Sequence, residues 1–209
     1  MNEQGENVQG RENELSIGKD RPRIFVAVPV GAEIADILAS WAELAFGADA
    51  FRRWTDRQDT HFTLKFLGDV EQGKIAAIEA ALREAFARET PFALGVGGAG
   101  TFGLAEAPRV LFAEPNEGSE GLGRLAEATE AALAPLGFAR EKRSFRAHLT
   151  LARKYAAGEK AFEPSKLATA PALSVGTVDR AVLYRTHMHQ RPMYERIAEF
   201  PLGSEDRHA

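Results

Sequence analysis

Two of the five histidines in this 209-residue chain stand in the same local context, His61 in HFTL and His148 in HLTL. Imidazole titrates near neutrality, so one copy can hold a proton while the other accepts one, as acid–base chemistry on a single substrate requires. Alternate residues of an extended strand share a face, which puts Thr63 with His61 and Thr150 with His148, opposite the apolar Phe62, Leu64, Leu149 and Leu151. Two imidazoles and two hydroxyls suit a phosphate group: the histidines move protons, and the hydroxyls hydrogen-bond the non-bridging oxygens as charge builds on them. A lone histidine is more often a surface or core residue; a duplicated His-x-Thr-Leu needs a further reason. By the same alternation Lys65 shares the His61 face. Arg146 shares the His148 face within a basic run of Arg140, Lys142 and Arg143, a run that either guides RNA or is a solvated edge. Arg153 falls opposite His148, so either the strand bends there and Arg153 meets phosphate, or it is structural.

Other chemistries lack their residues. Cysteine is absent, which removes disulfide frameworks, thiolate zinc sites and thiol nucleophiles. His187 and His189 in HMH have no carboxylate or further histidine close by in sequence, so they read as an exposed strand end and no metal is expected. Gly95, Gly97 and Gly100 spell G-x-G-x-x-G, but the TFGLAEAP that follows does not open a helix, so the stretch is expected to be a flexible connection. No serine nucleophile elbow or lysine-bearing phosphate loop occurs. A net charge of -4 argues against coating long nucleic acid, which needs a broad basic surface, and leaves a small or terminal phosphate as partner. No apolar run of about 18 residues exists, and residues 1–20 lack the apolar stretch of a signal peptide. The expectation is a cytoplasmic monomer without membrane contact, with a disordered leader over 1–20, one two-lobed domain over 21–202 and a polar tail over 203–209.

The elements that must carry the histidines are themselves repeated. RIFVAVP at Arg23 is echoed by RVLFAEP at Arg109, an offset of 109 - 23 = 86, and the two His motifs are 148 - 61 = 87 apart. ALGVG at Ala93 is echoed by ALSVG at Ala172, 172 - 93 = 79 residues on. Three matches in one order predict two related halves, each running strand, helix, strand, helix, strand. Ile34, Ile37, Leu38, Trp41 and Ala45 mark a helical face ending at Gly47, and Leu122, Leu125, Ala132, Leu133 and Leu136 its counterpart ending at Gly137. Ile75, Ile78, Leu82 and Phe86 mark another helix, whose counterpart around Pro164–Ala168 is shorter. Strands over Leu173–Val178, Arg180–Thr186 and Tyr194–Pro201 complete an α+β domain.

HFTLKFLG and HLTLAR resemble the paired signatures of the 2H phosphoesterase superfamily. The chain from RIFVAVP through SFRAHLTLAR to YERIAEFPL is similar to its RNA 2',3'-cyclic phosphodiesterases, also called 2'-5' RNA ligase-like proteins. The resemblance implies a pseudo-symmetric fold of antiparallel sheets flanking a central cleft with helices outside, no cofactor and no metal. It implies hydrolysis of a 2',3'-cyclic phosphate on an RNA end or small nucleotide to a 2'-phosphate, with His61 as proton donor and His148 as acceptor. Thr63 and Thr150 would bind phosphate, with Arg153 and Arg146 as further candidates, and Phe25 would lie near the nucleotide base. A noncatalytic binder of phosphorylated RNA ends, and reverse 2'-5' ligation, stay open.

Overall fold

A computed structural model describes residues 21–156 and 161–203; the expected leader and all but the first residue of the expected tail lie outside them. Nine strands form one curled antiparallel sheet: β1 (Arg23–Pro29), β2 (Phe51–Trp54), β3 (His61–Asp69), β4 (Phe92–Gly103), β5 (Pro108–Glu117), β6 (Leu149–Tyr155), β7 (Ala172–Val178), β8 (Arg180–Thr186) and β9 (Tyr194–Pro201). The order across it is β7-β4-β5-β6-β3-β1-β8-β9, with β2 on β6. Helices α1 (Ala32–Phe46), α2 (Ile75–Ala87) and α3 (Ser119–Leu133) arise where apolar residues recur at helical spacing. Their buried Leu38, Ile78, Leu82, Phe86, Leu122 and Leu125 join Val26, Phe62, Leu111 and Leu149 of the sheet in one core. Each such side chain contributes about 1.5–3 kcal/mol by leaving water. The shortened counterpart of α2 is a 3₁₀ turn over Pro164–Thr169.

The sheet consists of two four-strand lobes, β3-β1-β8-β9 and β6-β5-β4-β7, that meet through one bridge pair, Phe62 with Leu149. Beyond that pair the edge of β6 turns to β2, where Arg53 faces Arg153 and Trp54 faces Ala152. The two His-bearing strands therefore touch at one point and diverge, which opens a cleft between the lobes.

Three features differ from the reading of the sequence. The G-x-G-x-x-G stretch is no flexible connection but part of the 12-residue strand β4. A Cβ on Gly95 or Gly97 would lie 2.5 or 2.4 Å from the Asn116 side chain, and one on Gly100 would lie 2.7 Å from the Phe112 ring, so these glycines answer close cross-strand packing. ALGVG and ALSVG are not counterparts in the two lobes: they pair with each other, Leu94 opposite Gly176. The echo of β1 in β5 is also one residue out. Phe25 faces Phe66 and Val110 faces Arg153, which makes the structural offset 110 - 25 = 85 rather than 86.

Lys65 is 3% exposed. Its ammonium donates to both Glu130 oxygens at 2.8 and 2.7 Å and to the Ala139 carbonyl at 2.8 Å, tying β3 to α3 and to the segment that leads to His148. Replacing Lys65 with alanine strands the Glu130 carboxylate, and chemical denaturation should show a loss of about 3–5 kcal/mol. A loss under about 1 kcal/mol would mean that the pair does not hold α3 on β3.

Candidate active site

A β-bulge decides what faces the cleft. On β3, Thr63 pairs with Ala27 and Lys65 with Val26, so Leu64 is an extra residue with no partner on β1. On β6, Thr150 pairs with Phe112 and Ala152 with Leu111, so Leu151 is extra in the same way. Each bulge breaks the alternation. Leu64 and Lys65 both turn to the core side, as do Leu151 and Ala152. The following residues, Phe66 and Arg153, return to the face of the histidines. Lys65 is thus not on the His61 face, contrary to simple alternation, and Arg153 is on the His148 face. The positive charge of Arg153 acts on both His61 and Tyr194.

Around Phe62–Leu149, continuing the antiparallel register by one residue sets His61 beside Thr150 and Thr63 beside His148. Opposed side chains on a regular ladder have Cβ atoms about 4.5–5.5 Å apart, and the His148 charge acts on His61, so the two imidazoles face the same cleft. The ring tautomers match. His61 Nδ1 donates to the Asp59 carbonyl at 2.6 Å and His148 Nδ1 to the Arg146 carbonyl at 2.9 Å, in both cases two residues upstream. In the neutral form of such a ring Nε2 is the acceptor, and that of His61 lies 3.1 Å from the Thr63 hydroxyl.

The two sides differ in their surroundings. His61 is half-buried among Phe25, Tyr184 and Tyr194, with ring centroids 4.8, 5.9 and 5.2 Å away. Burial, then the charges of Arg153 and His148, push its pKa down to about 4, against the opposing pull of the Asp59 carbonyl. His148 lies edge-on to Phe102 and Phe112 at 5.1 and 5.7 Å. Arg146 pairs with Glu114 at 2.7 Å and lies over the Phe102 and Phe112 rings, so its carbonyl, which orients His148, is its contact with the site.

Phe25 is 1% exposed beneath His61, Phe66 and Tyr194, whereas Phe66 is 60% exposed on the same face. His187, one of the HMH pair, hydrogen-bonds Glu195 at 2.7 Å. Among the described residues no three His, Cys, Asp or Glu side chains converge as metal ligands would.

Reading the sequence missed Asp59 and Tyr194. Asp59 is buried, and its carboxylate accepts the amides of Met193 at 2.8 Å and Tyr194 at 3.1 Å, fastening the β8–β9 connection beneath His61. Burial raises the Asp59 pKa, opposed by those two amides. Asp59 stands two residues before His61, but nothing local signals a partner more than 130 residues away.

A family model described as the 2'-5' RNA ligase superfamily matches residues 32–190. The chain belongs to that superfamily. It is 40% identical over 183 residues to an RNA 2',3'-cyclic phosphodiesterase of Geobacillus stearothermophilus, a match over 87% of this chain and 58% of that protein. Its identity to the Bacillus subtilis RNA 2',3'-cyclic phosphodiesterase is 35% over 183 residues, 88% of this chain and 98% of that one. A Thermus thermophilus structure superposes with a TM-score of 0.66 at 27% identity, and Escherichia coli LigT, crystallised with 3'-AMP, with 0.70 at 24%. Each superposition covers 88% of this chain and 99% of the other, and the LigT match bears on the fold alone. The α+β fold of this superfamily is the one described above.

NMR titration of the histidine rings in the ligand-free protein should place the His61 midpoint near 4; a midpoint near 6.5 would refute the neutral, desolvated ring. Because the folded value lies below the unfolded one, stability due to neutral His61 is complete above about pH 6.5 and falls as pH drops toward 4.

Proposed function

We propose that the protein hydrolyses RNA 2',3'-cyclic phosphates to 2'-phosphates by two-histidine acid–base catalysis without a metal. One observation supports the reading: imidazoles from opposite lobes are each oriented through Nδ1 by a backbone carbonyl, on strands that pair at Phe62 with Leu149, and the charge of His148 acts on His61. The names of the relatives support the same activity.

Water attacks phosphorus in line with the departing 3'-oxygen. His148 Nε2 takes a proton from the water while His61 Nε2 gives one to the 3'-oxygen, leaving a 2'-phosphate and a free 3'-hydroxyl. In the empty cleft His61 is neutral and receives a hydrogen bond from Thr63. An incoming phosphate anion favours the charged ring, and protonation of Nε2 frees the Thr63 hydroxyl to donate to phosphate. Thr150 and the Arg153 guanidinium bind the non-bridging oxygens from the other lobe. Phe66 offers its exposed ring to the base, a contact that tolerates any base. Among the described residues no helix is long and apolar enough to cross a membrane, and the substrate class fits a cytoplasmic monomer working on RNA ends.

With a 2',3'-cyclic nucleotide in chelator, the wild-type protein should yield the 2'-monophosphate, and His61→Ala or His148→Ala should abolish turnover. Thr63→Val or Thr150→Val should lower kcat by about 10²–10³, as removal of one oxyanion donor does. Undiminished turnover in either histidine variant would refute the mechanism, and tight binding without product would make the protein a binder of phosphorylated ends.

A further inference from the structure

A second hollow, of about 450 Å³, opens at the β8–β9 connection and is lined by His187, Gln190, Arg191, Pro192, Tyr194 and Glu195. It adjoins the cleft, because the Tyr194 ring that lines it also stands edge-on to His61 at 5.2 Å. The connection is held in shape by backbone bonds from His187 to Met193 at 2.7 Å and from Gln190 to His187 at 3.2 Å. The buried Asp59 carboxylate clamps its far end through the amides of Met193 and Tyr194. A hollow fixed in this way needs little ordering when a ligand enters.

Its charge is specific. Arg196 on β9 is paired with Glu199, and the Glu195 carboxylate is engaged by His187 at 2.7 Å. Arg191 is exposed and makes no ion pair within 4 Å among the described residues, although its charge acts on the Asp59 carboxylate. In a chain of net charge -4, an unpaired guanidinium in a preformed hollow beside the cleft is placed to take an anion.

We propose that this hollow binds the penultimate nucleotide, the one 5' to the nucleoside that carries the cyclic phosphate, with Arg191 on the phosphate joining the two and the Gln190 amide toward its sugar or base. The inference rests on the proposed phosphodiesterase activity and extends it: the preferred substrate is an RNA 3' end rather than a free cyclic nucleotide. One engaged arginine also fits the acidic chain, since the contact is with a single phosphate and not with a long strand.

The test compares adenosine 2',3'-cyclic phosphate with a trinucleotide ending in a 2',3'-cyclic phosphate. Arg191→Ala and Arg191→Glu should raise KM for the trinucleotide roughly 3- to 10-fold and reduce the salt dependence of its kcat/KM by about 0.7 in log–log slope. Both variants should leave kcat/KM for the mononucleotide unchanged, and Arg191→Lys should retain most of the trinucleotide KM. Equal effects on the two substrates, or no effect on either, would overturn the subsite. If the wild-type protein turns over neither substrate, the phosphodiesterase reading itself fails and the subsite fails with it.

Discussion

One backbone pairing, Phe62 with Leu149, joins the two lobes between their His-bearing strands, and the site depends on it. A longer ladder would zip β3 and β6 into a flat sheet and close the cleft. Without the pairing, the imidazoles would belong to two bodies with no fixed relation. Ending the contact after one pair and passing the β6 edge to β2 keeps the lobes registered and the cleft open. On the core side of β3 the buried Lys65–Glu130 pair fixes α3 and also holds the Ala139 carbonyl on the way to His148.

The matched bulges are the second constraint. Without an extra residue after each threonine, alternation would send Phe66 and Arg153 into the core and bring Lys65 into the cleft. With it, one lobe adds an aromatic ring and the other a guanidinium to an otherwise symmetric His–Thr set. That asymmetry gives the cleft a direction: an apolar, desolvated side around His61 and a cationic side around Arg153. It also accounts for the depressed pKa of His61, since burial and the Arg153 charge both disfavour its protonated form.

Elements set by local periodicity were legible in the sequence. The spacing of Ile34 to Ala45 and of Ile75 to Phe86 matches α1 and α2, and the duplicated His-x-Thr marked the strand ends that meet at the cleft. Features set by long-range pairing were not. A bulge is an extra residue relative to a partner strand, so its shift in facing cannot be read from one strand: simple alternation put Lys65 on the wrong side and left two readings of Arg153 open. The same blindness put the β1 and β5 echo one residue out of register, and a one-residue slip exchanges the faces of a strand. Asp59 escaped notice because its role lies in amides near the other end of the chain. The glycines of β4 looked like punctuation because their reason, the Asn116 and Phe112 side chains against them, belongs to the neighbouring strand.

A crystal structure with a nucleoside 2'-monophosphate bound tests the central claim most directly. The account predicts one phosphorus atom lying between the lobes, with its oxygens within hydrogen-bonding distance of Nε2 of both His61 and His148 and of the Thr63 and Thr150 hydroxyls. A phosphate held by one lobe alone, or bound away from the Phe62–Leu149 junction, would contradict it.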